Sequence, residues 1–450
     1  MTRALDLAEA ALSAAEGDEA EVLVHAERSG VARFAGSVVH QPTLIDNAVI
    51  RLRIVRDGRI GWAATNRTDG LADLAQRAGD AADQARADPD FPGLAPAAQY
   101  PNVVSFDEET AALGPEDQAR LAGVAIDAAG DFELYGYFTS GVTEIALASS
   151  TGLVADQALT DATALCLAAV EGASGWAEQT HWRVADVDPA ATAEEATAKG
   201  ARTHGAVEIE PGHYAAVLEP YALAELLRWF SYDSLGAQGF LEERSYFSGR
   251  IGEQVFDEKV SIADDGLDEN NMPKSFDFEG TPKQRVELVE AGVARDVVWD
   301  RGTAAKAGRA STGHAPPDAW RFYGPLPMAF SMAGGNASSL DELAERVGDG
   351  IYVTRLHYLS VVDPRGAVLT GTTKDGTFRI RDGKVAEPLV NLRFTVQMAD
   401  VLGKVLGLTS EPLLMNMNEL YDERFPHAAL VPALATARFH ISGTGAGPGL

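Results

Sequence analysis

Histidine spacing is the first chemical signal in this sequence. The simplest zinc proteases hold their metal with two histidines on one face of a single helix, beside a glutamate base. The nine histidines are His25, His40, His181, His204, His213, His314, His357, His427 and His440. No two of them lie three, four or five positions apart, so no single helix of this chain can carry such a pair. A site assembled from histidines distant in sequence stays open at this point.

Other reactive groups give equally weak signals. Asp264-Asp265 and Asp268-Glu269 bring carboxylates together, but the alternating ligand spacing of a helix-loop-helix calcium site is absent, so we expect a solvated acidic turn. Cys166, the single cysteine, lies in the apolar run 162–170 without a neighbour that would lower its pKa. A buried structural thiol is therefore expected instead of a nucleophile. One cysteine forms no intrachain disulfide, which fits a reducing cytoplasm.

Composition excludes several classes of function. The 450 residues contain 66 acidic side chains against 37 Lys plus Arg, which gives a net charge of −29. Nucleic-acid affinity comes largely from basic side chains, so direct DNA or RNA binding is not expected. No apolar run is long enough to span a membrane, and the acids near Met1 do not suit an export signal. We therefore expect a cytoplasmic protein of two or three compact units.

The front half, residues 1–207, reads as an α+β domain made of two repeated units. Each unit, about 1–100 and 101–207, runs from a helix through antiparallel strands to a second helix. Gly61-Trp62-Ala63 and Gly175-Trp176-Ala177 lie 114 residues apart at matching places in the order. The predicted strands include Val31–His40 in the first unit. Chance similarity of two α+β stretches stays an alternative to duplication.

The back half, residues 208–450, is predicted to be a second domain rich in antiparallel strands. Short β-like runs alternate with Gly and Asp turns, and a helix is expected at Tyr221–Trp229. Val361–Leu369 is predicted to be a strand, and Leu340–Val347 and Met398–Leu406 are predicted to be short helices. The fold class expected for the whole chain is therefore α+β.

Several irregular, glycine-punctuated segments remain unexplained by regular structure. As turns they would only connect strands, whereas functionally such turns line grooves that accept an extended peptide by strand addition. They are Arg33-Phe34-Ala35 with His40-Gln41, Ser245–Glu253, Phe276–Gly280 and Ser311–Ala315.

Taken together in order and spacing, these segments resemble the TldD/PmbA family, also called the modulator of DNA gyrase family. The resemblance covers nearly the whole chain and includes further segments at Asp90–Leu94, Ser150–Gly152 and Asp375–Lys384. Similar proteins of the catalytic branch carry a His-Glu-x-x-x-His helix and a cysteine near the C-terminus, which together hold zinc. Here the corresponding positions are Arg228, Trp229 and Asp233, and no cysteine follows Cys166. The chain therefore resembles the non-catalytic branch, PmbA, also called TldE, with no cofactor of its own.

The resemblance implies a partner and a substrate class. It implies a heteromeric cytoplasmic metallopeptidase in which a TldD-like subunit carries the zinc and unfolded or unstructured peptides are degraded. Candidate groove or interface residues are Phe247, Ser248, Gly249, Phe276, Gly280, Gly313 and His314. Phe247 and Phe276 are the candidate interface anchors, with ordinary core aromatics as the alternative. His314 stands where similar proteins commonly have asparagine.

Two further functions stay open from the sequence. The chain could be a stand-alone peptide-binding or scaffold protein, active as a homodimer without protease activity. It could also be a hydrolase that uses residues outside any recognised motif.

Overall fold

Long antiparallel strands dominate the first part of the chain. The structure, a computed structural model, describes residues 2–15, 19–418 and 423–445. Six strands form one antiparallel sheet in the order β3-β2-β1-β4-β5-β6. They are β1 (Glu19–Ala35), β2 (Val38–Arg56), β3 (Arg59–Thr65), β4 (Glu133–Ser149), β5 (Val154–Val170) and β6 (Ala173–His181).

Helices cover this sheet in two pairs because their small apolar residues pack on it. Ala75, Ala78 and Ala82 of one helix are buried at helical spacing in the same apolar cluster as Ile50 and Leu52. The helices of this part are α1 (Arg3–Ala14), α2 (Leu71–Gln84), α3 (Glu108–Ala112), α4 (Pro115–Ala128) and α5 (Pro189–Gly200).

The internal repeat is visible in how each glycine of the Gly-Trp-Ala segments meets a helix. A side chain added at Gly61 would put its Cβ 2.1 Å from the carbonyl oxygen of Ala78 in α2. A Cβ at Gly175 would lie 2.1 Å from the carbonyl oxygen of Ala196 in α5. Glycine is thus required in both units so that the second helix can approach the third strand closely.

Two further sheets are built from the later residues. One has the strand order β10-β9-β8-β11-β18-β17, and the other contains β12, β7, β19, β15 and β13 in that order. Because β12 also pairs with β13, these five strands close into a barrel. The strands are β7 (Gly212–Leu218), β8 (Ile262–Asp265), β9 (Arg285–Glu290), β10 (Val293–Ala294), β11 (Ala329–Met332), β12 (Gly350–Asp363), β13 (Val368–Arg381), β14 (Lys384–Pro388), β15 (Leu392–Gln397), β16 (Val405–Leu408), β17 (Leu413–Asn416), β18 (Ala428–Val431) and β19 (Leu434–Thr444).

One helix of the later part lies in the largest apolar cluster and fills the space between these sheets. It is α6 (Pro220–Ser234), whose Leu223, Leu227 and Phe230 are buried. The other helices are short: α7 (Ala237–Leu241), α8 (Arg301–Lys306), α9 (Leu340–Val347) and α10 (Met398–Val401). No helix within the described ranges is both long and apolar enough to cross a membrane.

The predicted α+β class, with repeated helix and antiparallel-sheet units followed by a strand-rich part, is confirmed. The predicted division at residue 208 falls between α5 and β7 and stays a prediction. Cys166 is buried in β5, and burial raises the pKa of its thiol to about 12, as expected for a structural cysteine.

Three predicted elements were wrong in their bounds. Val31–His40 contains a two-residue turn at Gly36-Ser37, where both residues have positive φ, so it belongs to two strands. Val361–Leu369 likewise contains the turn between β12 and β13. Met398–Leu406 is helical only as far as Val401, because Val405–Leu408 pairs with β19.

Candidate functional site

The start of α6 is fixed by a buried ionic cluster. Glu219, immediately before the helix, accepts hydrogen bonds from Lys199 Nζ and from the Tyr352 hydroxyl, both at 2.6 Å. Burial lowers the pKa of Lys199, but Glu219 and Glu195 outweigh it and raise this pKa above its ordinary value. The cluster joins α5, α6 and β12, so the side chains of α6 are held in a defined register.

The three zinc-equivalent positions on α6 are all engaged in other interactions. Arg228 Nε donates to the Tyr232 hydroxyl at 2.8 Å, and Trp229 Nε1 donates to Glu225 Oε1 at 3.0 Å. Asp233 is bound by Arg244 Nη1. Guanidinium and indole N–H groups donate and cannot ligate a metal, and the remaining carboxylate is already paired. This donor set does not fit a zinc ion.

A small cavity lies beside these positions. It has a volume of about 30 Å³, room for one or two water molecules but not for a peptide side chain. Its lining includes Arg228, Tyr232, Trp320, Met328 and His427.

His427 is the histidine that the structure brings to α6, although it lies nearly 200 positions further along the chain. Burial lowers the pKa of His427 to about 3, with the nearby Lys274 and Arg228 charges acting in the same direction, so the imidazole is neutral. Its Nδ1 lies 3.0 Å from Asn418 Oδ1. In the part of the chain that the structure describes, no three His, Cys, Asp or Glu side chains are grouped so as to hold a metal ion.

An aromatic segment, residues 318–323, borders this cavity through Trp320 and is called the cover segment. Tyr323 stacks on Tyr232 with ring centroids 4.6 Å apart, and Trp320 packs edge-on against His427 at 4.9 Å. On its other side Asp318 pairs with Arg51 of β2 at 2.7 Å. The cover segment thus connects α6 with the first sheet.

Glu178 of β6 is a buried carboxyl close to the same helix. Burial raises its pKa to about 8, although the hydrogen bond from the Asn416 backbone and the charge of Arg355 oppose the shift. The folded protein therefore keeps this proton across a pH range in which the unfolded chain, with an ordinary value of 4.5, has lost it.

We expect this proton to make the protein less stable as the pH rises. Because the folded pKa is raised, the stabilisation is complete below the ordinary pKa and is lost as the pH rises towards 8. A shift half as large would already lower the free energy of unfolding by about 2 kcal/mol. Glu178→Gln cannot ionise, so urea titrations at several pH values should show this decline shrinking in the variant. Glu225→Gln, at a half-buried residue of α6, is the control, and an unchanged decline in Glu178→Gln would contradict the assignment.

The predicted acidic turn at Asp264-Asp265 was wrong for Asp264. This side chain is fully buried in β8, where its Oδ1 lies 2.7 Å from His314 Nε2 and its Oδ2 accepts from Ala329 N at 2.7 Å. Lys283 Nζ lies 4.0 Å from Asp264 Oδ1 and has no hydrogen-bond partner among the described residues. Burial would raise the pKa of Asp264, but His314 and Lys283 outweigh it and hold this pKa below its ordinary value.

The candidate groove residues separate into two groups. Phe247 packs against Phe230, with ring centroids 6.1 Å apart, in the cluster that contains α6. Phe276 lies in a different cluster, 5.3 Å from the Tyr100 ring. Both rings are buried inside this chain, so their assignment as interface anchors was wrong and the core alternative holds.

The remaining candidates lie next to these rings. Ser248 is buried and donates to the Phe240 carbonyl at 3.1 Å, and His314 is buried against Asp264, so neither presents a groove surface. Gly249, Gly280 and Gly313 adopt the positive φ that the sequence suggested, at 76°, 73° and 76°. Gly249 is exposed, and a groove role for the three glycines stays a prediction.

Sequence reasoning missed Glu178, Tyr232, His427 and the cover segment. Only the cover segment had a usable signal, the run Trp320-Arg-Phe-Tyr323, which begins three residues after Pro317. Clustered aromatics outside a periodic element indicate a packed loop. The others carry no local signal, since their partners lie on different elements.

Comparison with known proteins agrees with this fold. The crystal structure of TldE from Thermococcus kodakarensis has the same fold, with a TM-score of 0.85 and 19% identity over 97% of this chain and 99% of that chain. An uncharacterised protein of Methanocaldococcus jannaschii is 28% identical over 285 residues, which are 62% of this chain and 65% of that protein. A metalloprotease TldD homolog of Buchnera aphidicola subsp. Acyrthosiphon pisum is 29% identical over 167 residues, 36% of this chain and 33% of that protein. The chain thus spans less than two thirds of the length of these two curated relatives.

Family models match two parts of the sequence. Residues 20–82 match the model described as PmbA/TldA metallopeptidase domain 1. Residues 211–443, more than half of the chain, match the PmbA/TldA metallopeptidase C-terminal domain. The chain belongs to the PmbA/TldD metallopeptidase family.

Proposed function

We propose that this chain is the zinc-free subunit of a heteromeric, TldD/TldE-type metallopeptidase of the cytoplasm that acts on unfolded or unstructured peptides. A TldD-like partner would carry the zinc, and bond cleavage would take place on that partner's residues. The observation that supports this most directly is on α6, where Arg228, Trp229 and Asp233 replace the family's metal and base positions.

The surroundings of α6 support a structural role for this helix instead of a catalytic one. Arg228, Trp229 and Asp233 each pair with a neighbouring side chain, so none is left to activate water. The adjoining cavity of about 30 Å³ is lined by Trp320 of the cover segment and is too small for a peptide side chain. Within the heteromer this chain would enclose the substrate, while its own degenerate site stays filled by side chains.

We expect the isolated chain to contain no stoichiometric zinc and to leave an unfolded peptide intact. Mixed with the TldD-like protein of the same organism, it should form a stable complex that contains zinc and cleaves the peptide at least about 100-fold faster, a difference of about 2.7 kcal/mol in activation free energy. Elemental analysis, size-exclusion chromatography and a fluorogenic peptide assay measure these three properties.

One substitution in each subunit tests which subunit of the complex cleaves the peptide bond. Replacing the glutamate of the partner's His-Glu-x-x-x-His helix should abolish cleavage, whereas Asp233→Asn in this chain should leave zinc content and turnover within about twofold. Stoichiometric zinc and rapid cleavage by this chain alone would contradict the proposal. Native pull-downs that yield no TldD-like chain would instead favour a stand-alone homodimeric binding or scaffold protein.

A further inference from the structure

The outer part of β2 has a strand neighbour on one side only. β1 pairs with β2 along its whole length, but β3 pairs only with Ile50–Arg56. Residues 38–49 therefore form an open edge, and within the described ranges no other backbone group hydrogen-bonds to its outer side. Its side chains include the exposed apolar residues Val38, Leu44 and Ile45, which are 62%, 60% and 39% exposed.

The direction of the backbone groups along this edge follows from the hairpin turn. Asp57-Gly58 is a two-residue turn, so Arg56 and Arg59 face each other as a hydrogen-bonded pair. Such residues alternate along a strand, so every second residue counted back from Arg56 points towards the β3 side. Beyond the end of β3, Leu44, Asp46 and Ala48 thus present both N–H and C=O to the open edge.

The internal repeat shows what the same edge accepts in the second unit. Moved by 114 positions, Leu44 and Asp46 correspond to Ala158 and Thr160 of β5. There the edge is covered by an extended, irregular stretch of the chain itself. Thr160 N donates to the Ser105 carbonyl at 3.0 Å, and the Ser105 hydroxyl lies 3.4 Å from the Ala158 carbonyl. At this edge the two units differ, since the edge is occupied in the second unit and open in the first.

We propose that the open edge of β2 binds an extended segment of unfolded polypeptide by strand addition. The occupant in the second unit is itself an extended segment. Its hydrogen bond from Thr160 N to the Ser105 carbonyl joins two backbones and does not depend on sequence, and side-chain hydroxyls add to it. Natural edges usually carry lysines, prolines or bulges that prevent pairing. Here Pro42 and the bulge at His40 limit pairing at one end of the edge, whereas residues 43–49 contain no lysine, no proline and no bulge.

The charge of the edge and of the whole chain indicates which polypeptide segments this edge would bind. The only acid on the edge, Asp46, is paired with Arg3 at 2.8 Å, so the edge itself is almost neutral, while the whole chain carries −29. Acidic segments are repelled at long range, and neutral to basic segments with apolar side chains are favoured.

The edge also leads to the site described above. Arg51, two residues beyond it on β2, contacts Asp318 of the cover segment at 2.7 Å. A segment bound along β2 would thus run towards α6. The identity of the ligand as an unfolded substrate rests on the proposed function, whereas strand addition at this edge does not.

The test uses a labelled, unstructured peptide of about ten residues, rich in Val and Thr and carrying one or two lysines. Hydrogen exchange of residues 40–48 in the unmodified chain should slow when the peptide is added. Leu44→Pro removes an outward N–H without breaking the ladder to β1, so fluorescence anisotropy should show roughly tenfold weaker binding. Leu44→Ala keeps that N–H and should weaken binding only about twofold to threefold.

A control peptide and four possible results test whether the edge of β2 binds by strand addition. A peptide methylated at alternate backbone nitrogens should not bind, because it cannot pair as a strand. No binding, equal affinity for Leu44→Pro and the unmodified chain, or unchanged exchange at residues 40–48 would overturn the proposal. So would self-association that Leu44→Pro abolishes, since a second copy would then occupy the edge. Cleavage by the heteromer without protection of β2 would leave the proposed function standing and reject this site alone.

Discussion

Asp264→Ala is expected to lower the free energy of unfolding by about 4 kcal/mol. The carboxylate is fully buried, and it accepts from His314 Nε2 and Ala329 N, each at 2.7 Å. Its removal takes away the carboxylate 4.0 Å from Lys283 Nζ, which is buried without a hydrogen-bond partner among the described residues, and leaves Asp277 as its counter-charge. A charge that loses a partner in a low-dielectric interior costs far more than a lost surface contact. Urea titration followed by tryptophan fluorescence measures the change.

The adjacent residue provides the control for this prediction. Asp265 pairs with Arg285 at 3.2 Å, but the arginine is largely exposed, so Asp265→Ala should cost less than about 1 kcal/mol. The double variant Asp264→Ala, Lys283→Met should recover part of the loss, because it removes the buried cation. If Asp264→Ala were no more destabilising than Asp265→Ala, the buried cluster would have no role in stability.

Arg424→Ala is expected to destabilise the protein by about 3 kcal/mol and to loosen the later residues from the first sheet. The guanidinium binds the buried Asp161 of β5 through two hydrogen bonds of 2.7 and 2.6 Å, and it donates to Thr139 of β4 at 2.9 Å. The Arg424 carbonyl also accepts from His25 Nε2 at 2.7 Å. Removing the side chain leaves the Asp161 carboxylate buried beside a cavity.

Two variants distinguish the effect of the Arg424 charge from that of its paired hydrogen bonds to Asp161. Arg424→Lys keeps the cation but loses the paired hydrogen bonds, so it should recover only part of the stability. Arg120→Ala breaks an exposed ion pair with Asp117 and should change the free energy of unfolding far less than Arg424→Ala does. Limited proteolysis should cleave Arg424→Ala faster than the unmodified chain. Equal cleavage rates in Arg424→Ala and the unmodified chain would show that Arg424 does not hold the later residues against the first sheet.

The sequence predicted the structure correctly where the residues that determine it lie close together in the chain or recur at a fixed spacing. Leu340–Val347 was predicted as a helix and has those bounds, because Ser339 caps it and Leu343 and Ala344 face the core. The 114-residue repeat was visible because Gly61 and Gly175 both meet a helix backbone closely. Arg228, Trp229 and Asp233 lie close together in the sequence, and they lie on the single helix α6.

Prediction failed where a distant partner determines the environment. Asp264 reads as a surface acid, since His314, which buries and pairs it, is 50 positions away. Val405 continues an apolar helical pattern, but its pairing with Thr436 of β19 makes it a strand residue. Phe247 and Phe276 carry no local mark that separates a core aromatic from one at an interface, and only the packing around them does so.

The five-stranded barrel has a consequence for the order in which this protein folds during synthesis. Its wall contains β7, which begins at Gly212, and β19, which ends at Thr444, as direct neighbours. The ribosome therefore delivers the first barrel strand more than 200 residues before the strand that must pair with it. The six-stranded sheet is complete once His181 has emerged, so the front half can acquire its structure while the barrel strands still wait for a partner.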